Sequence, residues 1–210
     1  ERLKILYQTA LLPKDVVGLA IATRSDCLTD DTIDYLQELS KQTYLTIELG
    51  LQTIHDTTAE YIHRGHTFKQ FLDTYYKLQS KGLNVCIHII NGLPNETYSM
   101  MLQTAKAIAE LKPHSIKIHM LHVLKGTKMA EQYLNGEFEM LSLPEYATIV
   151  CDQLEVLPSD TIIQRVTGDG AKDDLIAPLW TLKKFVVMNE IDKLLVSRNS
   201  YQGIRYKATL

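Results

Sequence analysis

The sequence predicts an α/β fold in which parallel strands are flanked by helices. Three observations carry that prediction. Short β-branched or apolar runs alternate with segments of helical periodicity, strand then helix, five times over. Right-handed crossovers turn that order into a parallel sheet. Unusual polar residues fall just after the strands, at Thr23–Asp26, Gln52, Asn91–Glu96, His122–Thr127 and Thr167–Asp169. They would gather on one rim, the side on which such folds bind ligands. Finally, 210 residues, 45% hydrophobic and 22% charged, are enough for one compact domain with a real core. The pattern leaves open a doubly wound layer or a barrel, complete or partial.

In chain order, residues 1–12 place Leu3, Leu6, Tyr7, Ala10 and Leu11 at helical spacing before Pro13. Residues 16–22 read as a buried strand with a loop at 23–27. Asp30 or Asp31 is expected to cap a helix carrying Ile33, Leu36 and Leu39. Residues 44–49 form the second strand, followed by helices over 57–64 and 68–80, with Gly82 as the residue that ends the latter. The third strand, 84–90, runs into Asn91–Thr97, and a helix over 97–111 stops before Pro113. The fourth strand, 115–121, alternates, with Lys117 and His119 on one face and Ile116, Ile118 and Met120 on the other. Its exit loop is 122–127. Helices over 128–134 and 144–157 follow, with Pro144 in a favoured first-turn position. A fifth strand at 161–166 and a long helix over 179–196 close the fold, and 197–210 reads as a loose polar tail.

Composition excludes several classes. A net charge of −3 offers no global basic field for nucleic acid, although a local patch is compatible with it. No apolar run reaches the ~18 residues of a membrane span. The opening ERLKILYQ is unlike a signal peptide. The three cysteines, Cys27, Cys86 and Cys151, are far apart and have no metal-ligand spacing, which points to a reducing cytoplasm rather than a disulfide framework. The chain begins at Glu1 in what reads as mid-helix, so a piece of a longer protein is expected. No Gly-x-Gly-x-x-Gly follows the first strand and no Walker A sequence occurs, which disfavours a dinucleotide site or a P-loop.

The richest stretch is 44–67. One acid, Glu48, interrupts the apolar run Leu45–Leu51, and an acid there needs a partner or a ligand. Glu48, Gln52 and Arg64 are therefore site candidates. The plainer alternative is a buried ion pair for Glu48 and a surface charge for Arg64. His88 has a plain alternative too, a hydrogen-bonded core histidine. His119 and His122 are three apart, so sharing a metal would require a bend in the strand.

Three pieces, taken together in order, resemble a known family. They are Glu48-Leu49-Gly50-Leu51-Gln52 with Arg64-Gly65-His66-Thr67; Gly92-Leu93-Pro94-Asn95-Glu96-Thr97 after a strand; and Lys117-Ile118-His119-Met120-Leu121-His122 with Lys125-Gly126-Thr127. The set resembles the radical SAM enzymes, within them the YtqA/YhcC type, related to the Elongator catalytic subunit and the oxygen-independent coproporphyrinogen oxidases. The likeness extends to Thr23–Leu28, Thr167-Gly168-Asp169 and Ala177-Pro178-Leu179-Trp180.

The resemblance implies the C-terminal portion of a partial (β/α)6 barrel, residues 1–196, followed by the tail at 197–210. It implies S-adenosylmethionine and a [4Fe–4S] cluster as cofactors, with the cluster held by a Cys-x3-Cys-x2-Cys loop after the first barrel strand. One-electron cleavage then gives a 5′-deoxyadenosyl radical that abstracts a substrate hydrogen. Cys27, Cys86 and Cys151 lack that spacing. By the family pattern the first two strands and the cluster loop lie upstream, and the 210 residues alone are expected to be inactive and to self-associate through the exposed sheet edge.

Carried over residue by residue, Gln52 matches a glutamine near the ribose and methionine moiety of S-adenosylmethionine. Arg64 matches an arginine on the methionine carboxylate. His88 stands where an aspartate reaches the ribose hydroxyls, and the turn Gly92-Leu93-Pro94 would lie against the adenine. Ala22 stands where Elongator-type sequences have a glutamate, and Glu48 is expected to replace that contact. Ser25 replaces the usual proline of the motif. Lys117, His119 and Lys125 would line the substrate end and hold an anionic group, unless they are solvated rim charges.

Kinship to the Elongator subunit suggests tRNA as substrate, at a wobble uridine, with Lys125, Lys128, Lys183, Lys184, Arg198, Arg205 and Lys207 supplying a basic rim. An electron donor such as flavodoxin or ferredoxin is implied as well. Two readings from other classes stand beside this one. One is a barrel lyase or aldolase with Lys117 or Lys125 as a Schiff-base lysine; the other is a non-catalytic nucleotide-binding barrel.

Overall fold

The structure is a computed structural model and describes residues 2–168, 170 and 172–207. Glu1, Asp169 of the Thr167-Gly168-Asp169 loop, and residues 208–210 of the tail lie outside the described residues. The order is α1 (Arg2–Ala10), β1 (Gly18–Thr23), α2 (Asp30–Ser40), β2 (Tyr44–Gln52), α3 (Asp56–Tyr61), α4 (Phe68–Ser80), β3 (Asn84–Asn91), α5 (Tyr98–Leu111), β4 (Ser115–Met120), β5 (Val123–Leu124), α6 (Lys128–Leu134), α7 (Leu143–Val156), β6 (Ile162–Arg165), β7 (Leu175–Ala177) and α8 (Lys184–Ser197).

Five parallel strands form one sheet in the order β1-β2-β3-β4-β6. The winding never reverses. A doubly wound layer needs a reversal, so the choice left open by periodicity falls to the open, partial barrel. The period-2 pleat then separates two faces. Ile47, Leu49, Ile87, Ile89, Ile116 and Ile118 are sealed against Leu36, Leu39, Phe71, Tyr75, Ile108 and Tyr146 of the helices. Each such side chain contributes roughly 1.5–3 kcal/mol on burial. The intervening positions carry Glu48, His88, Lys117 and His119 onto the other, polar face, all only half-buried.

Helix starts follow local chemistry. Thr67 caps α4 in a reciprocal box with Gln70, and Ser142 caps α7 with Glu145, which satisfies the first free N–H groups. Helix α2 is capped by Thr29, whose hydroxyl accepts from the Thr32 N–H, and not by Asp30 or Asp31, which sit in the first turn.

Four further expectations are corrected. β1 is an edge strand rather than a buried one: of its residues only Ile21 is buried, while Ala20 and Ala22 are exposed. The segment 122–127 is not a plain loop, because β5 pairs antiparallel with β7 in a second, two-stranded sheet. Runs of two and three residues are too short to show a period. The last helix begins at Lys184; Leu179–Leu182 is a separate 3-10 turn after Pro178.

The tail is docked, not loose. The N–H groups of Gly203 and Arg205 donate to Leu154 O and Glu155 O, carbonyls in the last turn of α7. Arg198 and Arg205 reach back to the buried carboxylates of Asp152 and Glu155. Gln202 Nε2 donates to Pro158 O at 2.7 Å and Thr161 O at 2.8 Å.

Candidate functional site

The carboxyl end of β2 is irregular, and its irregularity builds the site. The register with β3 shifts between Gly50 and Gln52, and Gln52 takes a left-handed backbone (φ 75°) that non-glycine residues rarely adopt. That kink turns the Gln52 side chain beside Gly50. A Cβ on Gly50 would stand 2.9 Å from Gln52 Nε2 and 2.5 Å from Arg64 Nη2, so glycine is what admits both side chains. Arg64 Nη2 donates to Gly50 O at 2.5 Å, and His66 Nε2 lies 3.2 Å from the same carbonyl. The sequence reading took Gln52 and Arg64 from this stretch. It missed Gly50 and His66 as their supports, although all four stand in the same motif.

Two atoms here are buried without a protein partner: Gln52 Oε1, an acceptor, and Arg64 Nε, a donor. Burial, then the neighbouring Arg24, presses the Arg64 guanidinium below its ordinary value. Arg24 is itself ion-paired with Asp26 and lies across Gly65.

Farther along the polar face, Glu48 Oε1 accepts from Lys117 Nζ at 2.6 Å, and Glu48 Oε2 lies 3.1 Å from His88 Nε2, poorly aligned for a hydrogen bond. The ion-pair alternative for Glu48 is therefore what the fold contains. Burial pushes the Glu48 carboxyl up, but the Lys117 bond and the surrounding positive charge outweigh it and hold it below the usual range. His88 is moved down, by burial against a smaller opposing pull from Glu48. Its ring lies 5.2 Å from that of His119, whose pKa falls to about 4 through burial and the neighbouring imidazole. Glu48 sits beside Ala22 in the register, yet its two oxygens already face Lys117 and His88.

The turn Gly92-Leu93-Pro94 is buried at the end of β3, with Gly92 at φ 82° against Leu141. It is tied to the end of β2 through Thr53 Oγ1, which donates to Glu96 Oε1 at 2.5 Å. Lys125 does not join this group. It is exposed just after β5, where its Nζ donates to Asp173 O at 2.5 Å. Arg198 and Arg205 likewise serve the tail and not a basic rim.

The fold and these groups define a parallel partial barrel with a polar inner face. Residues 2–108 match the Radical SAM superfamily, and residues 113–197 match the Radical_SAM C-terminal domain. The chain belongs to the radical SAM superfamily. It is 50% identical over 203 residues to the protein YtqA of Bacillus subtilis, covering 97% of this chain and 63% of YtqA. It is 29% identical over 156 residues to a tRNA uridine(34) acetyltransferase of Methanocaldococcus jannaschii, covering 73% of this chain and 28% of that protein. Among solved structures, the archaeal Methanocaldococcus infernus Elp3 with an N-terminal deletion superposes with a TM-score of 0.77 at 21% identity, over 89% of this chain and 43% of that one, which establishes the shared fold.

Members of this family use S-adenosylmethionine and a [4Fe–4S] cluster. The residues fit the first. An α-amino acid headgroup supplies a carboxylate acceptor and an ammonium donor, the two partners that Arg64 Nε and Gln52 Oε1 lack. They do not fit the second. Cluster ligands are thiolates, whereas burial pushes the Cys86 thiol up to about 11 and raises that of Cys151, while Cys27 stands apart at the surface. Among the described residues no group of three His, Cys, Asp or Glu could hold a metal, and no helix is long and apolar enough to cross a membrane.

Proposed function

We propose that this chain binds S-adenosylmethionine along the carboxyl ends of β2 and β3, in a cytoplasmic radical SAM enzyme acting on the wobble uridine of tRNA. The observation that carries the reading is the orphaned donor–acceptor pair, Arg64 Nε and Gln52 Oε1, in a member of this family. Arg64 holds the methionine carboxylate, with the planar cation kept in place by Gly50 O. Gln52 Oε1 takes the ammonium. His88 serves the ribose hydroxyls as a neutral imidazole, and Gly92-Leu93-Pro94 walls the adenine and excludes water. Glu48 orders this face by holding Lys117.

The chemistry that S-adenosylmethionine supplies when bound is hydrogen-atom abstraction after one-electron reduction, for which a flavodoxin or ferredoxin is the donor. The chain spans 63% of the length of YtqA, and the cluster ligands are assigned to the whole protein. The tRNA substrate is supported by the similarity to the tRNA uridine(34) acetyltransferase. The free, separated cysteines support a reducing compartment. The lyase reading is weaker, because Lys117 is engaged by Glu48 and Lys125 by a backbone carbonyl, whereas a Schiff-base lysine needs a free amine.

The test is anaerobic reconstitution of the full-length protein with iron and sulfide, then S-adenosylmethionine and dithionite, scored for 5′-deoxyadenosine. Product from the protein and loss of it in Arg64→Ala support the reading. No cluster and no product overturn it.

A further inference from the structure

Beyond the cofactor site, the polar face contains a second set of orphaned atoms. His119 Nε2 and His122 Nε2 are both buried without a partner. His119 ends the polar row of β4, and His122 follows in the short link to β5. The His122 ring has a place made for it: a Cβ on Gly168 would stand 2.7 Å from His122 Cε1 and 3.1 Å from Met120 Sδ. Glycine at 168 thus lets the β6 exit loop close over the imidazole.

Among the described residues, three cations of this face and its rim are engaged. Lys117 is held by Glu48 at 2.6 Å, Lys125 by Asp173 O at 2.5 Å, and Arg165 is not free either. An anionic group, which the lysines by themselves suggested, would find none of these three cations unpaired. Unmet valence here rests on imidazoles, His119 and His122 with His88 Nε2 beside them, and burial favours the neutral form of His119 and His122. The Nε2 of a neutral imidazole is a donor in one tautomer and an acceptor in the other, so two of them, with these three cations engaged, best complement a group that carries one donor and one acceptor and no charge.

We infer that His119 and His122 bind the substrate, through their Nε2 atoms, by an uncharged imide edge of the kind a uracil ring presents at N3–H and O4, rather than by a phosphate or carboxylate. This inference rests on the proposed radical SAM reading and names the group which that site recognises.

The experiment uses the full-length protein and two anticodon stem-loop RNAs, one with uridine at the wobble position and one with 3-methyluridine there, which lacks the imide proton. Wild-type protein is expected to bind the uridine RNA about tenfold more tightly, the effect of one buried hydrogen bond lost. His119→Phe or His122→Phe should erase that ratio, and His119→Gln, which restores a donor and an acceptor, should recover part of it. If a Phe variant does not fold, the wild-type ring-nitrogen NMR shifts of His119 and His122 carry the test, moving with the uridine RNA and not with the methylated one. Equal binding of the two RNAs by wild-type protein, a ratio unchanged in the Phe variants, or competition by inorganic phosphate that both variants lose, overturns the inference. 5′-Deoxyadenosine formation, measured separately, tells its failure from failure of the radical SAM reading.

Discussion

Gly50 decides where Arg64 and Gln52 can stand. Any Cβ there would occupy the space of the guanidinium at 2.5 Å, and an arginine pinned by a backbone carbonyl has few other places to go. Gly50→Ala is therefore expected to lower affinity for S-adenosylmethionine by about tenfold or more, read by calorimetry, since misplacing one charge-assisted contact costs on this order. Titration is also decided at this scale. His119 faces His88, His122, Lys117 and Arg165, and burial lowers it to about 4. A histidine depressed in the folded state binds its proton more readily when unfolded, so stability is full above the unfolded value near 6.5 and declines as pH falls toward about 4. His88 and Glu48, both moved down, act in the same direction, Glu48 at the acid end. Denaturant midpoints should drop on going from pH 7 to pH 4.5, with up to about 3 kcal/mol of unfolding free energy lost through His119. His119→Phe should flatten the upper part of that slope.

At the scale of elements, two segments behave differently from their composition. β2 is a regular strand through Leu49 and then bulges, and the bulge carries the candidate cofactor contacts. The polar tail 198–207 is a clasp on α7. Asp152 and Glu155 are buried on that helix with side-chain exposures of 10% and 3%, so they are tolerable only while Arg198 and Arg205 pair them. The double variant Arg198→Ala/Arg205→Ala leaves two buried carboxylates uncompensated. About 3 kcal/mol of stability should be lost, with faster amide exchange in residues 150–156. A Leu substitution at both acids in that background should restore much of it. Unchanged unfolding in the double variant would show that the tail only rests on the surface.

At the scale of the whole molecule, the sheet ends on an unpaired strand. Among the described residues β1 pairs with β2 alone, and Val17 beside it is 88% exposed. The 210-residue chain is expected to self-associate through this edge, with light scattering showing dimers or larger species that grow with concentration. Val17→Pro should reduce them. A monodisperse monomer at all concentrations would contradict this.

The strand–helix alternation, Gly82 just past α4, Pro144 in the first turn of α7 and the two faces of β4 were legible in the sequence, because local periodicity and side-chain chemistry set them. The family could also be read, since its signature residues lie in short ordered motifs. Partnership could not be read. Nothing local to Glu48 names Lys117, 69 residues away, as the cation it holds. Nothing in a polar tail announces that two buried acids wait for its arginines. The two-residue β5 is defined only by β7 across from it. By itself the sequence determined the order of elements, their faces and the family; the tertiary structure decided which charges are spent on one another and which atoms remain for a ligand, because pairing is a property of distance through space and the pattern records only distance along the chain.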